Sequence, residues 1–60
     1  MKRNEFIRWL QQHDCVLHRN GGRHDIYINP HNGKKQPIPR HNEIDDMLVK
    51  HIKKQLGLSD

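Results

Sequence analysis

Two segments with helical apolar spacing, one near each end of the chain, and three short strand signals between them predict an α+β fold. Two helices should cover one face of a three-stranded antiparallel sheet. No internal repeat, low-complexity tract or long linker interrupts that order. The 60 residues allow one domain, 1–60. A domain of this size buries only about 60% of the surface its unfolded chain exposes, so a partner that binds the folded form adds to its stability.

The first helix is expected over Arg3–His13, with Phe6, Ile7 and Leu10 on one side. Trp9 projects about 90° from that stripe by the 3.6-residue period, where it either closes the core edge, the favoured place, or contacts a partner. The first strand is expected over Cys15–Arg19. Asn20, Gly21 and Gly22 make the following turn, since Asn and Gly tolerate the positive φ of tight hairpins. Arg23–Ile28 forms the second strand. Alternation sets His24, Ile26 and Ile28 on one face, with Arg23, Asp25 and Tyr27 on the other. Asn29–Gly33 is a polar loop. Lys35–Pro39 is the third strand, placed at an edge or only partly paired because Pro37 and Pro39 cannot donate to a ladder.

The second helix is capped by Asn42, with Asp45 in its first turn. Ile44, Met47, Leu48, Ile52 and Leu56 make its apolar stripe. Acids (Glu43, Asp45, Asp46) at its start and bases (Lys53, Lys54) at its end both suit the helix dipole. Gly57 stops the helix, and Leu58 folds back on the last turn.

Lys and Arg number 11 against 7 acids, for a net charge of +4. A basic excess on so small a surface concentrates polyanions around it, nucleic acid first and acidic protein second. The single cysteine, Cys15, excludes an internal disulfide, fits a reducing cytoplasm, and lies in an apolar stretch as a buried thiol would. No signal-peptide pattern is present, and no apolar run approaches the roughly 20 residues that span a bilayer. A cytoplasmic protein with no membrane partner is expected.

Six histidines are many for this length, and histidine exchanges protons near neutral pH. A zinc site is not supported: no histidine pair of the required spacing accompanies two cysteines. No metal or cofactor is expected. His24 follows Gly21-Gly22-Arg23 and opens a strand, at the rim of the sheet. Arg19 and Arg23 flank it and can bind phosphate oxygens. Against that stands a histidine packed on the core beside Ile26 and Ile28. In Pro39-Arg40-His41, Arg40 can hold a phosphate and His41 can donate a proton, or both can simply lead into the helix. Lys34 and Lys35 either grip a phosphate backbone or discourage edge-to-edge aggregation. His13, His18, His31 and His51 carry no motif.

Three blocks in order resemble the HicA toxin family: Gly21-Gly22-Arg23-His24-Asp25-Ile26-Tyr27, then Pro39-Arg40-His41-Asn42-Glu43-Ile44, then Ile52-Lys53-Lys54-Gln55-Leu56-Gly57-Leu58. The opening Glu5-Phe6-Ile7-Arg8-Trp9-Leu10 is similar too, so the resemblance covers nearly the whole chain. It implies a double-stranded-RNA-binding-domain-like fold in the order α-β-β-β-α. It further implies metal-independent cleavage of single-stranded messenger RNA and neutralisation by a HicB-like antitoxin, with DNA reached only through the antitoxin complex. The family's essential histidine maps onto His24, and its Pro-Arg-His block onto Pro39, Arg40 and His41. Two positions depart from the family pattern. Arg23 stands where many members have serine, and Asp14 where many have glycine after the first helix. The competing readings are a non-catalytic RNA-binding module and a protein-binding subunit. Glu43, Asp45 and Asp46 stand where duplex-RNA binders of this fold carry cations, which disfavours gripping duplex RNA in the usual way.

Overall fold

The computed structural model describes residues 1–58. The elements run α1 (Arg3–Gln12), β1 (Val16–Asn20), β2 (His24–Asn29), β3 (Lys34–Pro39) and α2 (Asp46–Gln55). The strands form one antiparallel sheet in the order β1-β2-β3. β3 is therefore an edge strand, as its prolines require. Its ladder with β2 is nonetheless complete, from His24↔Pro39 to Asn29↔Lys34. Pro37 and Pro39 share parity along the strand, so both nitrogens lie on one side, the free edge.

Both helices pack on one face of the sheet. Phe6, Leu10, Cys15, Tyr27, Ile38, Ile44, Val49, Ile52 and Leu56 make the core, and Ile7, Trp9 and Leu58 close its margins. The covered face of β2 is the one bearing Asp25, Tyr27 and Asn29. His24, Ile26 and Ile28 lie on the open face. Two isoleucines beside a histidine suggested the opposite, and polar groups explain the difference. Asn29 is buried because its Nδ2 donates to the Leu56 carbonyl at 2.8 Å and its Oδ1 accepts from the His31 amide at 3.1 Å, tying the loop to the end of α2. With partners at Asn29, and at Asp25 as described below, that face can be buried without orphaned groups.

Both helices end in the same six-residue closure. At α1, the Cys15 amide donates to Leu10 and the Asp14 amide to Gln11; at α2, Leu58 donates to Lys53 and Gly57 to Lys54. The motif needs a left-handed residue. Gly57 supplies it with φ 74°, but α1 uses Asp14 at φ 69°. The closure also explains why Cys15 stands before β1 and not in it. Burial, then the charge of Asp14, push its thiol pKa up. Trp9 seals the same end: its ring stacks on His13 at 3.8 Å, and the Lys53 Nζ lies 4.1 Å from the ring centroid.

The start of α2 differs from its expected position. Residues 42–44 stay outside the helix, because they pair with the chain's first residues. The Arg3 amide donates to Asn42, the Ile44 amide to Met1, and Lys2 bridges Glu43. The helix therefore begins at Asp46, and Asp45 caps it by accepting from the Met47 amide at 3.1 Å. The later start sets which face turns inward. Val49, Ile52 and Leu56 are buried, while Met47 is 72% exposed and Leu48 37%.

A left-handed conformation costs an L-residue about 1 kcal/mol relative to glycine. Asp14→Gly should therefore raise unfolding stability by about 1 kcal/mol in urea denaturation. Gly57→Ala should lower it, since its Cβ also meets the Asn32 Nδ2 at 2.5 Å. A neutral or destabilising Asp14→Gly would show that the aspartate contributes more than its backbone costs.

Candidate functional site

His24 opens β2 opposite Pro39, the last residue of β3. The turn before it depends on close approach. The Gly21 amide donates to the His24 carbonyl at 2.8 Å, and a Cβ on Gly21 would lie 2.7 Å from that same oxygen. Neither Gly21 nor Gly22 is left-handed. At Gly21 the expected reason for glycine, positive φ, is thus replaced by steric clearance, whereas a Cβ on Gly22 would meet open space.

A charged brace fixes this turn to the end of β3. The Oδ1 of Asp25 accepts from Arg40 Nε at 3.0 Å and Nη2 at 2.8 Å, and its Oδ2 accepts from Arg3 Nη2 at 2.8 Å. The same two arginines reach backbone. Arg40 donates to the carbonyls of Gly21 at 2.8 Å and Gly22 at 3.2 Å. Arg3 donates through Nε to Pro39 at 2.7 Å. One carboxylate thereby ties α1, the β1–β2 turn and the β3 exit together on either side of His24. The hydrogen bonds from Arg40 lower the Asp25 pKa most; burial opposes them, and the charges of Arg40 and Arg3 add to the lowering, so the pKa lies below its ordinary value.

Arg23, His24, Pro39, Arg40 and His41 line one shallow, open depression. The imidazoles of His24 and His41 are exposed, and among the described residues none hydrogen-bonds either ring. A histidine on a fixed backbone with free ring nitrogens can give or take a proton from a ligand in the depression. Arg23 is exposed beside it. Arg40 lines the depression too, but its guanidinium is engaged with Asp25 and the turn. Arg19 lies on the open face opposite Ile26. Lys34 and Lys35 lie at the far end of the sheet. Lys34 is five residues down β3 from Pro39, or about 16 Å of strand, so the structure does not bring the lysines to His24.

Arg3 and Asp25 were not singled out from the sequence. The available signal was an aspartate sharing a strand face with Tyr27, which must find a charged partner if that face is buried. Among the described residues no group of three or more potential metal-ligating side chains comes together, and no helix is long and apolar enough to cross a membrane.

The α-β-β-β-α order with both helices on one side of the sheet defines a double-stranded-RNA-binding-domain-like protein. Residues 3–58 match the family model described as the HicA toxin of bacterial toxin–antitoxin systems. The chain belongs to the HicA toxin family. A chain in the crystal structure of the E. coli HicAB toxin–antitoxin complex is similar at 40% identity and a TM-score of 0.81, with 97% of this chain and 100% of that one covered. A search of curated proteins finds no match.

The brace makes stability depend on pH with a definite sign. A depressed carboxylate pKa contributes stability fully above the unfolded value, ordinarily 3.8, and loses it as pH falls through the folded value. Asp25→Asn should melt below the parent at neutral pH, with the gap closing as both are taken below pH 3.8. A gap that stays constant down the acid limb would show that the ionised carboxylate does not carry the effect.

Proposed function

We propose that this toxin is a metal-independent endoribonuclease that cleaves messenger RNA, with His24 as general acid or base. Family membership supports the class of protein. The observation that carries the chemistry is an exposed imidazole with no partner among the described residues, on a turn locked from both sides by Arg3, Asp25 and Arg40. Cleavage without a metal uses the ribose 2′-hydroxyl as nucleophile. A base takes its proton as the oxygen bonds phosphorus. The P–O5′ bond then breaks, an acid protonates the leaving oxygen, and a 2′,3′-cyclic phosphate remains. His24 serves one of the two proton transfers. His41 lines the same depression and is the candidate for the other, with Arg23 the candidate for the charge that builds on phosphorus. Arg40 acts as a positioning residue, because four of its five N–H donors are already engaged with Asp25 and the turn. Arg19, Lys34 and Lys35 bind flanking phosphates.

A HicB-like antitoxin is the partner, consistent with the toxin–antitoxin complex of the similar E. coli protein. It silences the toxin by covering His24, since a site held by a multi-point brace is hard to distort. DNA contact comes only through that complex, and the setting is the cytoplasm.

Purified protein incubated with single-stranded messenger RNA in EDTA should shorten it. A folded His24→Ala variant should cleave at least about 10²-fold more slowly. Equal cleavage by both proteins would remove His24 from the chemistry. Retardation without shortening would leave a non-catalytic RNA-binding module.

A further inference from the structure

The open face of the sheet carries cations and aliphatic side chains but no acid. The cross-strand register sorts it into three rungs: Val16–Ile28–Lys35, Arg19–Ile26–Pro37 and His24–Pro39. Val16 is 51% exposed, Pro37 is exposed, and the two isoleucines are half-buried. The acids of the described residues all lie elsewhere. Glu5 is on α1, Asp14 follows it, Asp25 is on the covered face, and Glu43, Asp45 and Asp46 lead into α2.

One irregularity is decisive for this charge pattern. A bulge between Leu17 and Arg19 leaves His18 outside the pairing. With unbroken register Arg19 would oppose Asp25 on the covered face. The extra residue moves Arg19 opposite Ile26, on the open face, because a one-residue shift turns a strand residue to the other side.

We propose that this face is a track for single-stranded RNA, leading from Lys35 past Arg19 to His24. Arg19 and Lys35 hold phosphates on either side of a strip where bases lie on Ile26, Ile28 and Pro37. Successive rungs are two residues apart, about 6.6 Å, a step comparable to that between phosphates of an extended strand. The face is continuous with the depression at His24, so a strand reaching that imidazole along the sheet meets only cations. The start of α2, where Glu43 and Asp46 are largely exposed, repels the same strand. The destination of the track rests on the ribonuclease reading; the binding surface does not.

The test uses a 2′-O-methyl RNA oligonucleotide, which lacks the internal nucleophile, and reads its Kd by fluorescence anisotropy over a salt series. Arg19→Glu and Lys35→Glu should each weaken binding about tenfold or more, as expected for losing a charged contact. Each should also lower the salt slope by about 0.7 per phosphate released. Lys50→Glu, the same charge change on the exposed side of α2, should do much less. Ile28→Ser should weaken binding with the slope unchanged. Equal effects of all three charge reversals would overturn the track. So would unaltered RNA binding by Arg19→Glu and Lys35→Glu with loss of antitoxin affinity, which would give the face to the protein partner. Because binding is read without cleavage, failure of the nuclease reading leaves this result intact. Undiminished cleavage by both open-face variants at sub-saturating RNA would overturn the track alone.

Discussion

The carboxylate of Asp25 is the point through which three otherwise separate parts of the chain are held together. It lies on the helix-covered face of the central strand, where an unpaired charge would be costly. Arg3 comes to it from α1 and Arg40 from beyond β3. Each arginine has donors left over, and these reach the carbonyls of Gly21, Gly22 and Pro39. The result is a multi-donor arrangement, with Arg40 Nε and Nη2 converging on Oδ1 and Arg3 on Oδ2, that lysine in place of either arginine would not reproduce. His24 is adjacent to Asp25 in sequence and on the opposite face of the strand. It is therefore rigid in backbone yet open in side chain.

The same division of faces explains the rest of the surface. Tyr27 and Ile38 bring apolar area to the core, and Asn29 brings a hydrogen bond to the end of α2. That leaves Ile26 and Ile28 on the other side. They are half-buried there, beside exposed Val16 and Pro37, and together these side chains give the open face an apolar strip that a ligand can cover. Arg19, turned outward by the bulge, and Lys35 give that surface its sign.

Much of the architecture was legible in the sequence because it rests on local signals. Helical spacing, the strand alternation, the edge position imposed by Pro37 and Pro39, and the Gly57 stop all follow from short-range chemistry. Asp14 drew notice only through the family pattern, which has glycine there in many members; its left-handed conformation is a finding of the structure. The differences arose where distant segments meet. The start of α2 was displaced from Asn42 to Asp45 by pairing of residues 42–44 with Met1–Arg3, some 40 residues away. With that shift, Val49 replaced Met47 and Leu48 on the buried side. The face of β2 that meets the helices depended on partners for Asp25 and Asn29 that strand alternation does not reveal. Of the residues proposed for the site, His24, Arg23, Arg40 and His41 converge because their two blocks end on neighbouring strands. Lys34 and Lys35 stand apart because β3 runs away from His24.

The brace is tested most directly by single-turnover cleavage with Asp25→Ala at saturating RNA, alongside the RNA dissociation constant and a thermal melt confirming that the variant is folded. Removing a negative charge favours polyanion binding on electrostatic grounds, so Kd should hold or tighten. If Asp25 positions His24, the saturated rate should nonetheless fall by about tenfold to a hundredfold, the cost of misplacing a catalytic group by an ångström or less. An unchanged saturated rate in a folded Asp25→Ala protein would contradict the positioning role and leave the brace as a stabilising feature alone.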